Sequence, residues 1–546
     1  MDAITVSLLL LLAVVASSAI GRMSPMPLPL PLVQIALGAV IASMLDFRIE
    51  LNPDIFFLLF LPPLLFLDGW RIPKEGLLRD KGTILALALG LVVFTVLGAG
   101  FFIHWIIPAM PLPVAFALAA VLSPTDAVGV SAIAARAPIR NRLMHILEGE
   151  SLLNDASGLV CMRFAVVAAL TGTFSIVEAS GTFLWLAVGG IAIGVGVTLL
   201  TTTLKDWISR RFGEETGSQI LISLLIPFGA YILAEQAQAS GILAAVAAGI
   251  LMSYEEQSGR ALAVTRVRRA VFWDTIQFAG NGVIFVLLGE QLPGIISGAA
   301  QVVREAGRRE EFWLFVYVVA IAFALATLRF LWVWASLGLI LFRAARRRQK
   351  VQSPGWRLIA AMSLAGVRGA ITLAGVLTLP LTLQDGSAFP ARDLAIFLAA
   401  GVIVVSLAAA NVGLPYLMKG VKLPPEPSSQ RQEDQARVAA AEAAMRAVDR
   451  SLHDMKPGRD DADVYMDAGA RIMTLYRQRI EARSKTGEDA DLARKSDDIE
   501  RSLRLVALGA ERSEVYRIAR SGSLTDDLVR KLVREIDLLE SRFSTS

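Results

Sequence analysis

The segment MSLAGVRGAITLAG, residues 362–375, interrupts an apolar run with an arginine that stands between two glycines. A second apolar run is interrupted in VLSPTDAVGV, residues 121–130, where an aspartate follows a proline. Proline and glycine weaken or break helices. Broken backbone at membrane depth is tolerated only where it is buried in protein or lines a cavity. The two segments therefore predict a pair of discontinuous helices that form a site inside a membrane.

The apolar residues of the whole chain lie in long blocks and not in periodic stripes. Hydrophobic residues make up 55% of the 546 residues, and the mean hydropathy is +0.57. Blocks of about 17–25 apolar residues have the length that is needed to cross a bilayer. We predict an all-α polytopic membrane protein with thirteen spans, at residues 3–20, 27–45, 54–70, 82–106, 112–135, 145–171, 180–203, 218–237, 240–253, 271–290, 312–342, 357–382 and 390–418.

The two interrupted segments occupy equivalent positions if the seventh span is a linker. The chain then has two halves of six helices, spans 1–6 and spans 8–13, and the interrupted segment is the fifth helix of each half. Corresponding broken helices in two halves are typical of binding sites built on inverted repeats. The prediction rests on position alone, because the sequences of the two halves are not visibly similar.

Basic residues cluster after the odd-numbered spans, whereas the segments after spans 4, 6 and 8 contain no Lys or Arg. Because short cytoplasmic loops are rich in Lys and Arg, we expect the N-terminus outside the cell and the C-terminus in the cytoplasm, in an inner (plasma) membrane. Residues 291–311 are an exception, since they hold three arginines on the predicted outer side. Span 1 follows Asp2 and no basic residue, so we interpret it as a retained span and not as a signal peptide.

Composition excludes several other classes of function. Lys and Arg number 53 against 49 Asp and Glu, so a nucleic-acid partner is not indicated. The single cysteine, Cys161, excludes an intramolecular disulfide framework and a cysteine-based metal site. Three scattered histidines are too few for a histidine-ligated metal. We therefore expect membrane lipid as a partner and no bound cofactor.

The composition changes beyond residue 420. The stretch at 421–429 is rich in proline and serine, and residues 430–546 are rich in Ala, Arg, Glu and Asp with helical patterning. We predict three parts: a transmembrane domain at 1–420, a linker at 421–429 and a cytoplasmic helical domain at 430–546. A solvated charged tail is the alternative for the last part.

Ionisable residues inside a span are costly, and they indicate a functional site by default. Besides the two segments quoted first, the third span ends with Asp68, and the sixth begins HILEGESLLNDASG at 145–158. At about 100° per residue, Ser151 and Asp155 share one helix face, and their oxygens suit a small hard cation or a proton. Glu150 points elsewhere, and we expect it to pair with Arg368, which would otherwise be an unpaired buried cation.

Five motifs resemble those of the monovalent cation/proton antiporter family CPA1, which holds bacterial NhaP-type exchangers and animal sodium/proton exchangers. The resemblance covers residues 1 to about 418, and GESLLNDA is its strongest element. It implies an NhaA-like fold of thirteen helices with two crossing broken helices, a homodimer, and a core that moves like an elevator against a static dimerisation domain. The motifs are FLPPLLFLDGW at 60–70, SPTDAV at 123–128, GESLLNDA at 149–156, FWDTIQF with IFVLLG at 272–289, and GVRGAI at 366–371.

The resemblance also implies roles for single residues. Asp155 would bind either the cation or protons, with Ser151 and the backbone of Thr125 completing the ion shell and Asp68 as an acidic residue close by. Asn154 marks the Asn-Asp type, which the family links to electroneutral one-for-one exchange.

Two further roles are structural. Asp126 would satisfy helix ends at the crossing, with contact to the ion as the alternative, and Glu150 with Arg368 would be a structural ion pair. In the animal exchangers a proline follows the aspartate of this motif, whereas here Pro124 precedes it, so the coordination at Thr125 can differ.

The implied activity is secondary active antiport and not an enzyme reaction, with Na⁺, Li⁺ or K⁺ exchanged for H⁺. A proton and a cation would compete for Asp155, so transport would stop at low pH. Arg163 and Asn281 also lie in spans: for Arg163 we expect a buried partner or snorkelling to the interface, and for Asn281 helix packing, with contact to the ion path as the alternative.

Three other functions were weighed. An intramembrane aspartyl protease would need Tyr-Asp and Gly-x-Gly-Asp sequences, which do not occur here. An ion channel would be expected to show repeated pore loops. A proton-coupled carrier for an organic solute would need a larger polar cavity. Counter-transport that depends on a pH gradient separates an antiporter from the first two.

Overall fold

A computed structural model shows an all-helical chain. It describes residues 3–24, 28–45, 53–71, 82, 86–126, 141–171, 176–257, 262–305, 312–346, 356–383, 386–419, 427–455, 462–484, 488–520 and 524–543. Within these residues, the only β-pairing is one isolated bridge between Thr382 and Ala388.

The helices of the first part of the chain are numbered so that each number matches a predicted span. They are α1 (Ala3–Met23), α2 (Leu30–Leu45), α3 (Pro53–Arg71), α4 (Val92–Ile106, preceded by a π-helical turn at Ala86–Leu91), α5 (Leu112–Leu122), α6 (Asn141–Thr171), α7 (Ile176–Phe212), α8 (Thr216–Gln236), α9 (Gly241–Gln257), α10 (Ala263–Glu305), α11 (Phe312–Arg346), α12a (Trp356–Leu364), α12b (Ala370–Leu377) and α13 (Arg392–Met418).

The predicted all-α membrane fold is confirmed. Each of the thirteen predicted spans overlaps one of the helices α1–α13, and α12 is divided in two. By length and composition, eight of the described helices are suited to cross a membrane, while α2 and α5 are apolar but shorter. Several helices are longer than their predicted spans, α10 most of all with 43 residues. Hydropathy identifies only the part that faces hydrocarbon, whereas the helix continues into more polar sequence on both sides.

The two predicted helix breaks meet each other. The helix α5 ends at Leu122, and the backbone N–H of Asp126 donates a hydrogen bond of 2.7 Å to the carbonyl of Val367, between α12a and α12b. Gly369 is required by this close approach, because a side-chain carbon there would overlap the carboxylate of Asp126. The structure therefore describes the helices on both sides of the break in α12, namely α12a and α12b. Residues 127–140, which include the second half of the predicted fifth span, lie outside the described part.

Helix packing follows the predicted pairing of two halves. The helix α2 packs along α10, and α3 packs along α9. If spans 1–6 correspond to spans 8–13, α2 corresponds to α9 and α3 corresponds to α10. The contact of α2 with α10 is then equivalent to the contact of α9 with α3. Both bring glycines together: Gly38 faces Gly289, and Gly69 faces Gly249, where an added side-chain carbon would overlap the backbone of the opposite helix. Small residues of this kind let membrane helices approach closely.

A buried apolar cluster lies where α3, α8, α9 and α10 meet. Phe66 and Trp273 are fully buried with ring centroids 5.2 Å apart, and the indole of Trp273 donates a hydrogen bond of 3.2 Å to Ser223. Alanines of α8 and α9 fill the remaining space. This packing fixes the ends of α3 and α10 that carry polar residues toward the site.

The contacts of the chain separate it into two compact units, Met1–Val421 and Lys422–Ser546. The second unit contains α14 (Pro427–Met455), α15 (Ala462–Ser484), α16 (Glu488–Arg520) and α17 (Asp526–Phe543). The helix α14 begins at Pro427, so the last three residues of the predicted linker are helical. Proline is well suited to the first turn of a helix, because its missing N–H would have no partner there.

We expect Gly249→Ala to destabilise the protein by about 1–3 kcal/mol, because the new methyl group must displace the backbone of α3 at Phe66. The matched control is Gly196→Ala in α7, where the added carbon meets nothing within 4 Å. Thermal unfolding in detergent would measure both. Equal melting temperatures for the two variants would contradict the close contact between α3 and α9.

Candidate ion-binding site

A small polar cavity lies where the two helix breaks, α3, α6 and α10 converge. Its volume is about 20 Å³, enough for one particle of the size of a water molecule. Its lining is polar for the most part, and is formed by Leu64, Asp68, Thr125, Asp126, Asp155, Gln277, Asn281, Gly369, Ile371 and Thr372.

Each polar residue is placed by a different element. Asp155 lies in the middle of α6 and is 4% exposed. Asp68 lies near the end of α3, one turn beyond Pro63. Thr125 and Asp126 belong to the break after α5, where the chain is not helical, and both line the cavity together with Asp155 of α6. Thr372 comes from the first turn of α12b. The cavity therefore exists only because five separate elements meet at this depth.

Asn154 supports the cavity from behind. Its amide nitrogen donates a hydrogen bond of 3.0 Å to the hydroxyl of Thr125, which joins α6 to the helix break. Its buried carbonyl oxygen has no hydrogen-bond partner among the described residues. A buried polar atom of this kind is costly unless something else satisfies it. The bond orients Thr125 and occupies one lone pair of its hydroxyl oxygen, and Nη1 of Arg329 lies 3.5 Å from the same oxygen.

The structure brings together most of the predicted ion-binding residues. Asp155, Thr125 and Asp68 line the cavity, and Asn154 holds Thr125 in place. Ser151 lies one turn before Asp155 on α6, is half-buried, and is not among the lining residues. Asn281 also lines the cavity. For this residue the sequence analysis gave helix packing first and contact with the ion path as the alternative.

Two lining residues were missed by the sequence analysis. Gln277 stands in the FWDTIQF motif, one turn before Asn281 on α10, and Thr372 stands in the segment quoted first. The spacing of four between Gln277 and Asn281 places both on one helix face. That spacing was the available signal.

The predicted ion pair between Glu150 and Arg368 is wrong. Glu150, 1% exposed, instead accepts two hydrogen bonds from Arg329 of α11, of 2.5 Å to Oε1 and 2.9 Å to Oε2. The paired geometry matches a flat guanidinium to a carboxylate. Arg329 is the only charged residue of the predicted span 312–342, and this solitary position was the signal that the sequence analysis missed.

Arg368 has a different role from the one expected. Its Nε donates a hydrogen bond of 3.0 Å to the carbonyl of Leu122, the last residue of α5, and its Nη1 donates to the carbonyl of Gly366. The last carbonyls of a helix have no partner within the helix. Arg368 therefore satisfies the helix end at the crossing, a role that was predicted for Asp126. Asp126 contributes its backbone N–H to the crossing, and its carboxylate lines the cavity.

Three carboxylates, those of Asp68, Asp126 and Asp155, line one small cavity. Like charges in a poorly solvated space repel one another, so placing three carboxylates around one small cavity is unfavourable unless positive charge or protons compensate them. No group of three or more His, Cys, Asp or Glu side chains within the described ranges is arranged to hold one metal ion.

Two further ion pairs lie along the helices that carry the site. Arg71, one turn after Asp68, donates a hydrogen bond of 2.6 Å to Gln277 and another to Asp274 of α10. Arg163, two turns after Asp155 on α6, donates a hydrogen bond of 2.8 Å to Glu235 at the end of α8. Arg163 therefore has a partner that is half-buried, where a buried partner or snorkelling was expected. The first pair connects directly to a cavity residue.

Sequence comparison identifies relatives over nearly the whole chain. The family described as "Sodium/hydrogen exchanger, transmembrane" matches residues 7–420. An uncharacterized Na(+)/H(+) exchanger of Escherichia coli (strain K12), YjcE, is 39% identical over 540 residues, which is 98% of this chain and 97% of that protein. A sodium, potassium, lithium and rubidium/H(+) antiporter of Bacillus pumilus is 43% identical over 421 residues, 76% of this chain and 61% of that protein.

Structure comparison supports the same fold. The sodium proton antiporter MjNhaP1 from Methanocaldococcus jannaschii matches with a TM-score of 0.58. The match covers 77% of this chain and 99% of that protein, at 19% sequence identity. At this identity the match is evidence for the fold.

The new partner of Glu150 can be tested by double-mutant cycles. We expect Glu150→Gln or Arg329→Gln alone to cost about 3–5 kcal/mol of stability, because each leaves one buried charge unpaired. Combining them should cost clearly less than the sum. Thermal or denaturant unfolding of the purified protein would measure the coupling.

The matched control is the cycle of Glu150→Gln with Arg368→Gln. We expect weaker coupling there, because Arg368 donates its hydrogen bonds to backbone carbonyls. A coupling with Arg368 that exceeds the coupling with Arg329 would restore the pairing that the sequence suggested.

Proposed function

The chain belongs to the sodium/hydrogen exchanger family, and from that premise we propose that it exchanges a monovalent cation for H⁺ at Asp155. The cation is Na⁺ in the first place, with Li⁺ and K⁺ as further candidates. The observation that carries the proposal is the burial of the Asp155 carboxylate in a small cavity at the meeting point of two helix breaks.

Competition at one carboxylate links the two fluxes. Asp155 binds a proton or a cation and never both, so each ion leaves when the other takes its place. Thr125 supplies a neutral oxygen, held in position by Asn154, while Asp68 and Asp126 make the cavity attractive to cations. Ser151, on the same face of α6, completes the ion shell when the helices shift. At low pH protons occupy the site and transport stops.

Na⁺ suits this site on the grounds of size and ligand type. Carboxylate and hydroxyl oxygens are hard ligands that bind Na⁺ or Li⁺ readily, and a cavity of about 20 Å³ leaves little room for a large hydrated ion. The Bacillus pumilus relative is a sodium, potassium, lithium and rubidium/H(+) antiporter. K⁺ therefore stays a candidate, and an organic solute is disfavoured by the size of the cavity.

We base alternating access on the division of the helices around the site into two groups. The helices α4, α5, α6, α11, α12 and α13 hold the breaks, Asp155 and the Glu150–Arg329 pair, and they act as a mobile core. The helices α1–α3 and α8–α10, with their glycine contacts, act as the static part, and a homodimer forms through it. The Arg163–Glu235 pair joins the two parts. Only a loaded Asp155 lets the core cross, because an unpaired charge in hydrocarbon is costly.

Electroneutral exchange is proposed from the pair Asn154 and Asp155. One ionisable group at this position carries one charge, whether a proton or a cation neutralises it. The amide of Asn154 is engaged with Thr125 and carries no charge of its own. One cation is then exchanged for one proton.

The proposed setting is the inner membrane, with the N-terminus outside and the C-terminal unit in the cytoplasm. Residues 1–420 form the transport domain, and residues 430–546 form a helical domain that regulates it. The protein acts as a secondary active transporter, with membrane lipid as its surroundings and without an added cofactor.

Asp155→Asn is expected to abolish cation-dependent dissipation of a pH gradient in proteoliposomes, because the amide neither binds a proton nor neutralises a cation. The matched control is Asp393→Asn, which removes an exposed carboxylate in the first turn of α13, away from the cavity. Addition of Na⁺, Li⁺ or K⁺ in turn would also identify the cation. Full activity of Asp155→Asn would overturn the proposed site.

Electroneutral exchange predicts no sustained current when wild-type proteoliposomes on a solid-supported membrane receive a sodium jump. The pH-gradient assay, run on the same vesicles, shows that the protein is active. A sustained current that depends on Asp155 would show that the numbers of charges moved in the two directions are unequal.

A further inference from the structure

The second unit of the chain contains a large cavity that the transport reaction does not use. It has a volume of about 710 Å³ and lies between α14, α15 and α16, with the end of α17 at its edge. Binding sites for small organic molecules have volumes of about 300–1,000 Å³. The cavity is therefore large enough for an organic ligand, in contrast to the cavity at Asp155.

Arginines outnumber the carboxylates that line this cavity, and four of the arginines pair with carboxylates, three of which lie outside the lining. Five guanidinium groups line it against two carboxylates, those of Asp497 and Glu500. The arginines come from three different helices and converge on one space, so they form a three-dimensional site and not the charged stripe of one helix. They are Arg437, Arg479, Arg483, Arg501 and Arg504.

Several of these arginines are available to a new anion. Arg479 lies 5.5 Å from the ring of Tyr476, and among the described residues no carboxylate is within ion-pair distance of it. Arg501 reaches Asp498 only at 3.9 Å, and Arg483 reaches its two acidic partners at 3.4 and 3.5 Å. The Arg483 pairs are long and partly buried, and the Arg501 pair is long and largely exposed on its acidic side; long exposed pairs contribute little to stability. A phosphate group, which accepts two parallel hydrogen bonds from one guanidinium, can replace them.

Two aromatic rings stand beside the arginines. Tyr476 and Phe543 both line the cavity, and the guanidinium of Arg504 lies 5.0 Å from the ring of Phe543. Flat aromatic bases stack on such rings and on guanidinium planes. A phosphate alone, or the headgroup of an anionic lipid, would use the arginines and leave the rings unused.

We propose that this cavity binds a nucleotide, with the phosphates at Arg479 and Arg501 and the base against Tyr476 or Phe543. The combination of an aromatic base with phosphates matches both halves of the lining. The site lies wholly within the unit Lys422–Ser546, so the proposal is independent of the ion that the membrane unit transports.

Calorimetric titration of the full chain in detergent, with ADP in the presence of EDTA, tests the proposal. We expect saturable binding that the double variant Arg479→Gln/Arg501→Gln weakens by about tenfold or more, since each arginine contributes a charged hydrogen bond. The matched control is Arg477→Gln, an exposed arginine on α15 outside the cavity, which should change the affinity by less than about twofold. Asp155→Asn should bind ADP like the wild type.

Three other probes separate the possible ligands. Pyrophosphate and adenosine should each bind at least about tenfold more weakly than ADP, because each uses half of the lining. Vesicles of phosphatidylglycerol should not compete with ADP. Absence of ADP binding, equal binding of pyrophosphate, or binding to the vesicles alone would overturn the proposal.

Hydrogen exchange of the wild-type chain gives a readout that does not depend on the variants. ADP should slow exchange in α15 and α16, which carry Arg479 and Arg501. Unchanged exchange in both helices at saturating ADP would also contradict the site.

Discussion

The structure depends on how the backbone groups at two helix breaks are satisfied inside the membrane. Hydrocarbon offers no hydrogen bonds, so each broken helix must find partners within the protein. The two breaks supply them for each other. The N–H of Asp126 binds the carbonyl of Val367, and Arg368 binds the carbonyl at the end of α5. Because the partners lie on different helices, neither break is stable alone, and both must come to the same depth.

This mutual support explains the shape of the site. Gly369 lets the two breaks touch, and the contact places Thr125 and Asp126 against the face of α6 that carries Asp155. The Glu150–Arg329 pair then ties the start of α6 to α11, one and a half turns from Asp155. A buried pair of this kind is weak evidence for stability in itself. Its structural consequence here is that the part of α6 just before Asp155 is held at two points, by the pair at Glu150 and by the Asn154–Thr125 bond.

Much of this architecture was predictable from the sequence, because it depends on length, hydropathy and breakers. The thirteen spans, the break at 365–369 and the presence of Asp155 inside a span follow from local patterns, whereas the roles expected for Asn154 and Thr125 came from the resemblance to a family. The pairing of Glu150 was not predictable, because local geometry gives the direction of a side chain along its own helix and not its neighbour across the fold. Only Arg368 was expected as the partner, and the sequence does not show which of Arg329 and Arg368 lies beside Glu150. For the same reason the place of Thr372 in the cavity became visible only in the folded chain, whereas Gln277 could have been found from its spacing to Asn281.

The central claim is that one buried carboxylate, Asp155, is shared between proton and cation. Proton release on cation binding tests it most directly: purified protein in weakly buffered detergent solution is mixed with NaCl, and a pH indicator records the protons set free. Binding to a protonated ligand releases its proton, so the account predicts about one proton per bound cation for the wild type and none for Asp155→Asn. Cation binding without proton release, or equal release from the variant, would contradict it.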